Sequence, residues 1–173
     1  MSGQRQSAPD FESEGRWAHI RIGSQRLELY DSGHLLASYL VSSGLNGVGE
    51  RMGSGCTPRG WHMVRARIGA DQPIGTVFVG RRPTGETYSP DLARRYPDRD
   101  WILTRILWLS GLEPGFNRLG VVDTMRRCIY IHGTPAAVAL GLPGSKGCIR
   151  MHDADVVELF EAMPARTPVL IEG

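Results

Sequence analysis

From Trp17 onward the chain alternates between apolar and polar positions. Ile20 and Ile22 are interleaved with His19 and Arg21, and Leu27 and Leu29 flank Glu28, the period of two that strands with one buried face require. Asp31-Ser32-Gly33 supplies turn chemistry for a hairpin, and Leu35 to Val41 reads as the returning strand. A glycine-rich loop spans 44–58, and 61–68 and 74–79 read as further strands. The nearly continuous apolar run 101–109 suits a buried strand, with a short helix as the alternative. Residues 128–132 make a short strand. Asp153 is placed to cap a helix in which Val156, Phe160 and Met163 recur at helical spacing, Pro164 ends it, and 169–171 give a last strand.

Two stretches stand outside this pattern. Residues 1–15 read as a loose leader. Residues 80–100 carry Arg81, Arg82, Arg94, Arg95 and Arg99 among Pro83, Pro90 and Pro97, a long polar insertion of the kind that serves as a lid or is disordered. The arginines read as a solvated face, with a role on an anionic substrate as the alternative, and 80–120 as a whole is the candidate lid.

Length and composition narrow the class. A chain of 173 residues holds one cored domain, here 16–173, rather than two. The 22 glycines and 11 prolines favour turns and hence a strand-rich fold. A net charge of +2, scattered along the chain, gives no footprint for nucleic acid or an anionic membrane. No apolar run reaches the roughly 18 residues of a membrane-spanning helix. The polar segment 1–14 lacks the basic-then-apolar order of a secretory signal, which leaves cytoplasmic residence or prior removal of a signal as the two readings. Cys56, Cys128 and Cys148 are odd in number, so a dense disulfide scaffold is excluded.

The chemistry concentrates in Ile129 to Met151. Alternation puts Ile129 and Ile131 on one face and Cys128, Tyr130 and His132 on the other. His132 ends its strand where Gly133 and Pro135 open a loop. Cys148 follows Gly147, a residue that permits unusual dihedrals and close approach of backbone to ligand. Such a turn suits an exposed nucleophile with backbone N–H donors for an oxyanion. A thiol near an imidazole becomes the reactive thiolate more readily. Cys128 reads as a small core residue close to the site, Cys56 as a structural or loop thiol, and His152 as a helix-start residue.

The string H-G-T, followed after a dozen or so residues by S-x-G-C-I-R, resembles the signature of the L,D-transpeptidase catalytic domain, also called the YkuD domain. Ile20 to Gly44 resembles the family's opening hairpin and its V-S-x-G segment, here Val41-Ser42-Ser43-Gly44. Thr57-Pro58-Arg59-Gly60-Trp61-His62-Met63-Val64 resembles its T-P-x-G segment. The likeness covers about residues 17–172. It implies a mainly β, sandwich-like domain with one or two short helices. It further implies Cys148 as nucleophile and His132 as base. The Gly133 carbonyl would orient the imidazole, and the Gly147 and Cys148 N–H groups would form part of an oxyanion hole. Arg150 would bind a substrate carboxylate or brace its loop, Ser145 would fix the turn, and Tyr130 would lie at the substrate site.

The chain departs from the common S-H-G-C pattern by carrying Lys146, which removes one ring from the site and offers a cation that would lower the thiol pKa. The activity implied is acyl transfer on peptidoglycan stem peptides, without metal or organic cofactor. The acceptor would be an amine that forms a 3→3 cross-link, a free D-amino acid, or water in an L,D-carboxypeptidase. Muropeptides are then the partners and carbapenems the inhibitors, in the periplasm or at the cell wall, with action on recycled muropeptides in the cytoplasm as the alternative. Two readings of other classes remain: a non-catalytic wall-binding module, and a zinc scaffold built on Cys128-x3-His132 and Cys148-x3-His152.

Overall fold

The structure is a computed structural model and describes residues 15–173; the expected leader lies outside the described residues but for its last residue. The alternating N-terminal segments fold as β1 (Arg16–Arg21), β2 (Arg26–Asp31) and β3 (His34–Leu40). Ala18, Ile20, Leu27 and Leu29 all face the core. Ser32 and Gly33 both take positive φ between paired Asp31 and His34, the twist a two-residue hairpin needs. The chain continues through β4 (Gly60–Ile68), β5 (Thr76–Val79) and β6 (Arg82–Thr87), then a short helix α1 (Pro90–Arg95) and β7 (Ile102–Gly111). A 3-10 turn at Gly120–Val122 precedes β8 (Tyr130–Thr134), β9 (Ile149–His152), α2 (Asp153–Ala162) and β10 (Pro168–Glu172).

All ten strands join one curled sheet in the order β3-β2-β1-β10-β4-β7-β5-β6, with β8 and β9 attached to β7. The mainly β class holds, and the two-layer character arises from one sheet folding back on itself. The apolar run that left strand and helix open is β7, which pairs with β4, β5 and β8. Helix α2 closes the main core with Val156, Leu159 and Phe160 against Leu107, Leu109, Ile131 and Ile149. A second, smaller cluster of Phe78, Ile106 and Tyr130 lies apart from it, with Cys128, Cys148 and Trp108 packed on it.

Three expectations need correction. Residues 80–100 are not an unstructured insertion: β6 pairs with β5, and Ser89 caps α1 through its hydroxyl. The Gly80-Arg81 turn hides this, because both residues have positive φ and the arginine occupies a position usually given to glycine. Cys128 is not in a strand; its φ of 56° turns the chain just before β8 begins at Tyr130. Asp153 is the first residue of α2 rather than its cap, which is His152.

Candidate active site

Strands β8 and β9 run parallel, with Ile131 beside Ile149 and His132 beside Arg150. A parallel pair needs a crossover of about a dozen residues or more, and 135–148 is that crossover. Its length accounts for the spacing of H-G-T and S-x-G-C. Because side chains alternate, Ile131, Ile149 and Met151 enter the main core, while His132 and Arg150 share the opposite face. Cys148 stands just before β9, beside Tyr130.

His132 is 1% exposed, and its Nδ1 lies 2.7 Å from the Gly133 carbonyl. A carbonyl only accepts, so Nδ1 carries the proton and the lone pair of the neutral ring is on Nε2. Burial pushes the His132 pKa below its usual value, opposed by the Gly133 hydrogen bond and the charge of Asp100. The Gly133 backbone fits here only without a side chain, since a Cβ would stand 2.7 Å from the Leu103 carbonyl and against Asp153. Opposite this point β7 carries two extra residues: Leu103 pairs with Gly133 and Ile106 with His132. Thr104 in that bulge is a buried β-branched residue at φ 73°, an unusual conformation of the kind that gathers at functional sites.

The Cys148 thiol donates to the Cys128 carbonyl at 3.4 Å and accepts the Tyr130 N–H at 3.3 Å. Burial pushes its pKa up to about 12; the Tyr130 N–H and Arg150 oppose this, and Asp100 adds to it. Burial thus favours the uncharged forms of both groups, the thiol and the neutral imidazole. Lys146 is exposed, and Arg150 and Arg127 are cations whose charge favours the thiolate.

The turn before Cys148 is fixed from several directions. The Ser145 hydroxyl donates to the Cys148 carbonyl at 2.5 Å and accepts the Gly147 N–H at 3.1 Å. The Gly147 N–H, expected to face an oxyanion, is engaged by the Ser145 hydroxyl. Gly147 has φ 120°, and a Cβ there would lie 2.9 Å from the Cys56 carbonyl. Thr57 Oγ1 donates to the Gly147 carbonyl and accepts the Gly44 N–H. Ser42 and Arg150 exchange backbone hydrogen bonds. The V-S-x-G and T-P segments are thus the walls of the nucleophile turn.

Arg150 donates to the Gly144 carbonyl at 3.0 Å and pairs with Asp100 at 3.2 Å. It braces its loop. Sequence reasoning missed three neighbours. Asp100 joins the end of the 80–100 segment to Arg150. Arg127 holds the carbonyls of Gly49, Glu50 and Cys56 behind the turn. Arg81 donates to the Tyr130 hydroxyl at 2.9 Å and lies 3.5 Å from Cys128 Sγ, so it is not part of a solvated face. Tyr130 itself is buried and contributes its backbone N–H to the thiol. Among the described residues no three His, Cys, Asp or Glu side chains are grouped to hold a metal ion, so the zinc-like spacing does not become a site.

The model of the YkuD family, the L,D-transpeptidase catalytic domain, matches residues 15–171. The probable L,D-transpeptidase YbiS of Escherichia coli strain K12 is 31% identical over 105 residues, 60% of this chain and 34% of that protein. An L,D-transpeptidase structure from Mycobacterium smegmatis superposes with a TM-score of 0.55 at 17% identity, covering 92% of this chain and 59% of that one. The L,D-transpeptidase LdtMt1 in complex with imipenem gives a TM-score of 0.55 at 16% identity, with 92% and 59% covered. The matches span about a third of the length of the curated relatives.

Proposed function

The chain belongs to the YkuD family of L,D-transpeptidase catalytic domains, and from that premise we propose that it transfers the acyl group of peptidoglycan stem peptides through a thioester on Cys148, with His132 as the base. The observation that carries this reading is the Nδ1 bond of His132 to the Gly133 carbonyl, which leaves Nε2 basic on the sheet face that His132 shares with Arg150, two residues beyond Cys148.

As the donor peptide binds, Nε2 takes the thiol proton and Sγ attacks the carbonyl after the third residue of a tetrapeptide stem. The Cys148 N–H faces the developing oxyanion. The imidazolium then protonates the departing D-alanine nitrogen, and a thioester remains. An acceptor amine gives its proton to His132 and displaces Sγ. Burial raises the pKa of the thiol, so transfer of its proton to Nε2 is the step that makes the nucleophile. Within the candidate lid 80–120, the segment 80–100 acts as a lid or rim: Arg81 near one end and Asp100 at the other both reach the site. The solved relative holding imipenem supports carbapenems as inhibitors of this chain. Cell-wall material is the substrate on this reading, and no helix among the described residues is long and apolar enough to cross a membrane.

Product analysis tests the proposal. A disaccharide-tetrapeptide is incubated with excess D-methionine beside a Cys148→Ala control, and masses are read. A D-methionine adduct or a cross-linked dimer, absent from the control, is the expected result; tripeptide alone would make the enzyme an L,D-carboxypeptidase. An unaltered tetrapeptide from folded protein would contradict the reading and favour a wall-binding module.

A further inference from the structure

We propose that Arg81 binds the α-carboxylate carried by the residue on the nitrogen side of the transferred bond: the terminal D-alanine that leaves, and the D-amino acid that replaces it. This rests on the acyl-transfer reading above and assigns to that reaction a specificity residue.

Arg150, the arginine beside the nucleophile in sequence, is already committed. Its guanidinium is paired with Asp100 and with the Gly144 carbonyl. Arg81 has no carboxylate partner among the described residues. Only its Nη1 is engaged, by the neutral Tyr130 hydroxyl and Cys128 Sγ. Nε and Nη2 meet no protein acceptor among the described residues, which leaves the edge that grips a carboxylate through two parallel hydrogen bonds.

The position is built. Gly80 and Arg81 form the two-residue turn between paired Val79 and Arg82, and Arg81 sits there at φ 64°. Asparagine or glycine is the usual occupant of such a turn, so an arginine is held against local preference. Its guanidinium lies over the Trp108 ring, 4.3 Å from the centroid. That contact leaves the planar group little freedom to lose on binding a ligand.

The same residue, Cys128, touches both Arg81 and the nucleophile. Arg81 Nη1 is 3.5 Å from its Sγ, and the Cys148 thiol is 3.4 Å from its carbonyl. Tyr130 repeats the link, with its hydroxyl on Arg81 and its N–H on Cys148 Sγ. In a tetrapeptide donor the terminal carboxylate is on the carbon next to the scissile nitrogen. Arg81 and the sulfur are thus joined through two shared residues, which puts the cation on the side of the site where that carboxylate would be sought.

The balance of the transfer is unchanged by this contact. In acylation the S–C bond forms, the C–N bond breaks, and the nitrogen takes the His132 proton and departs as D-alanine. In the reverse sense an incoming D-amino acid returns a proton to His132 as N–C forms and S–C breaks. Leaving and entering residues use one subsite, so Arg81 serves both. Water carries no carboxylate and gains nothing from Arg81.

The test compares D-methionine with D-methioninamide as acceptors for the whole chain, for Arg81→Gln and for Arg81→Lys, with thermal melts to establish folding. The two amines differ in basicity, so the quantity read is the change in their efficiency ratio between variants. The ratio should fall about tenfold or more in Arg81→Gln, through the acceptor KM, as expected for one lost charge-assisted contact, with partial recovery in Arg81→Lys. A ratio unchanged in Arg81→Gln overturns the proposal. A second readout does not depend on acyl transfer: the rate ratio of iodoacetate to iodoacetamide at Cys148, mapped by peptide mass, should fall in Arg81→Gln. If the unaltered chain performs neither exchange nor hydrolysis, the acyl-transfer reading fails; in that case, or if it only hydrolyses, the alkylation ratio alone decides whether Arg81 selects an anion.

Discussion

Arg150 and Asp100 form an ion pair at 3.2 Å that fastens the end of the 80–100 segment to the strand leaving the nucleophile. Asp100 also acts through space on the thiol, raising its pKa, and on His132. Replacing Asp100 by Asn should therefore quicken alkylation of Cys148 by iodoacetamide at pH 8, by a few-fold. The pair is partly exposed, so folding stability should change by less than about 1 kcal/mol. An unchanged or slower alkylation rate would show that Asp100 has no hold on the thiol.

Thr57 should be a stability residue as much as an activity residue. Its buried hydroxyl satisfies the Gly147 carbonyl and the Gly44 N–H together. Thr57→Val keeps the shape and removes both bonds, at a cost of about 1–3 kcal/mol by denaturant unfolding, with a larger proportional loss of turnover. Thr57→Ser should stay near the unaltered protein. Equal stability of Thr57→Val and Thr57→Ser would count against this role.

Gly147→Ala combines a positive φ with a Cβ against the Cys56 carbonyl. Strain of about 1–3 kcal/mol is expected, and the Cys148 turn must shift to relieve it. Acylation should fall at least about tenfold while circular dichroism remains that of a β protein. Full activity in this variant would mean that the turn geometry is not needed.

Acid should act on two buried imidazoles. Burial lowers His62 to about 4 and pushes His132 below its usual 6.5. In the unfolded chain both take up protons near 6.5, whereas the folded protein resists protonation. Stability is thus fully present above about pH 6.5 and falls as pH drops toward 4. The base remains neutral through the same range until its own lowered pKa, so the acid limb of kcat/KM should lie below pH 6.5. Thermal midpoints that stay flat from pH 7 to 4, or an acid limb above 6.5, would contradict this. On the alkaline side alkylation of the free thiol should keep rising past pH 9; a plateau below 7 would reveal a resting thiolate–imidazolium pair.

The sequence made the site legible where local spacing carries the information. The alternation of Ile129, Ile131 and His132 placed the histidine opposite the core, and His-Gly and Ser-x-Gly-Cys are contacts between near neighbours, His132 with Gly133 and Ser145 with Cys148. Contacts that depend on strand pairing were not legible. Asp100 meets Arg150, and Arg81 meets Tyr130, only because β5, β7 and β8 lie side by side. The two-residue bulge at Thr104 has no local signal, since Thr in an apolar strand is ordinary. Lys146 adjoins the nucleophile turn in sequence and is exposed in the structure. Strand β6 was hidden by a Gly-Arg-Arg-Pro composition that reads as a loop.

The central claim is a covalent acyl-enzyme on Cys148, and intact mass followed by peptide mapping tests it most directly. After incubation with imipenem, and separately with a disaccharide-tetrapeptide, the account predicts one acyl adduct on the peptide containing Cys148. The adduct should vanish in Cys148→Ala and be strongly reduced in His132→Ala. An adduct on Cys56 or Cys128, or none with either reagent on folded protein, would contradict it.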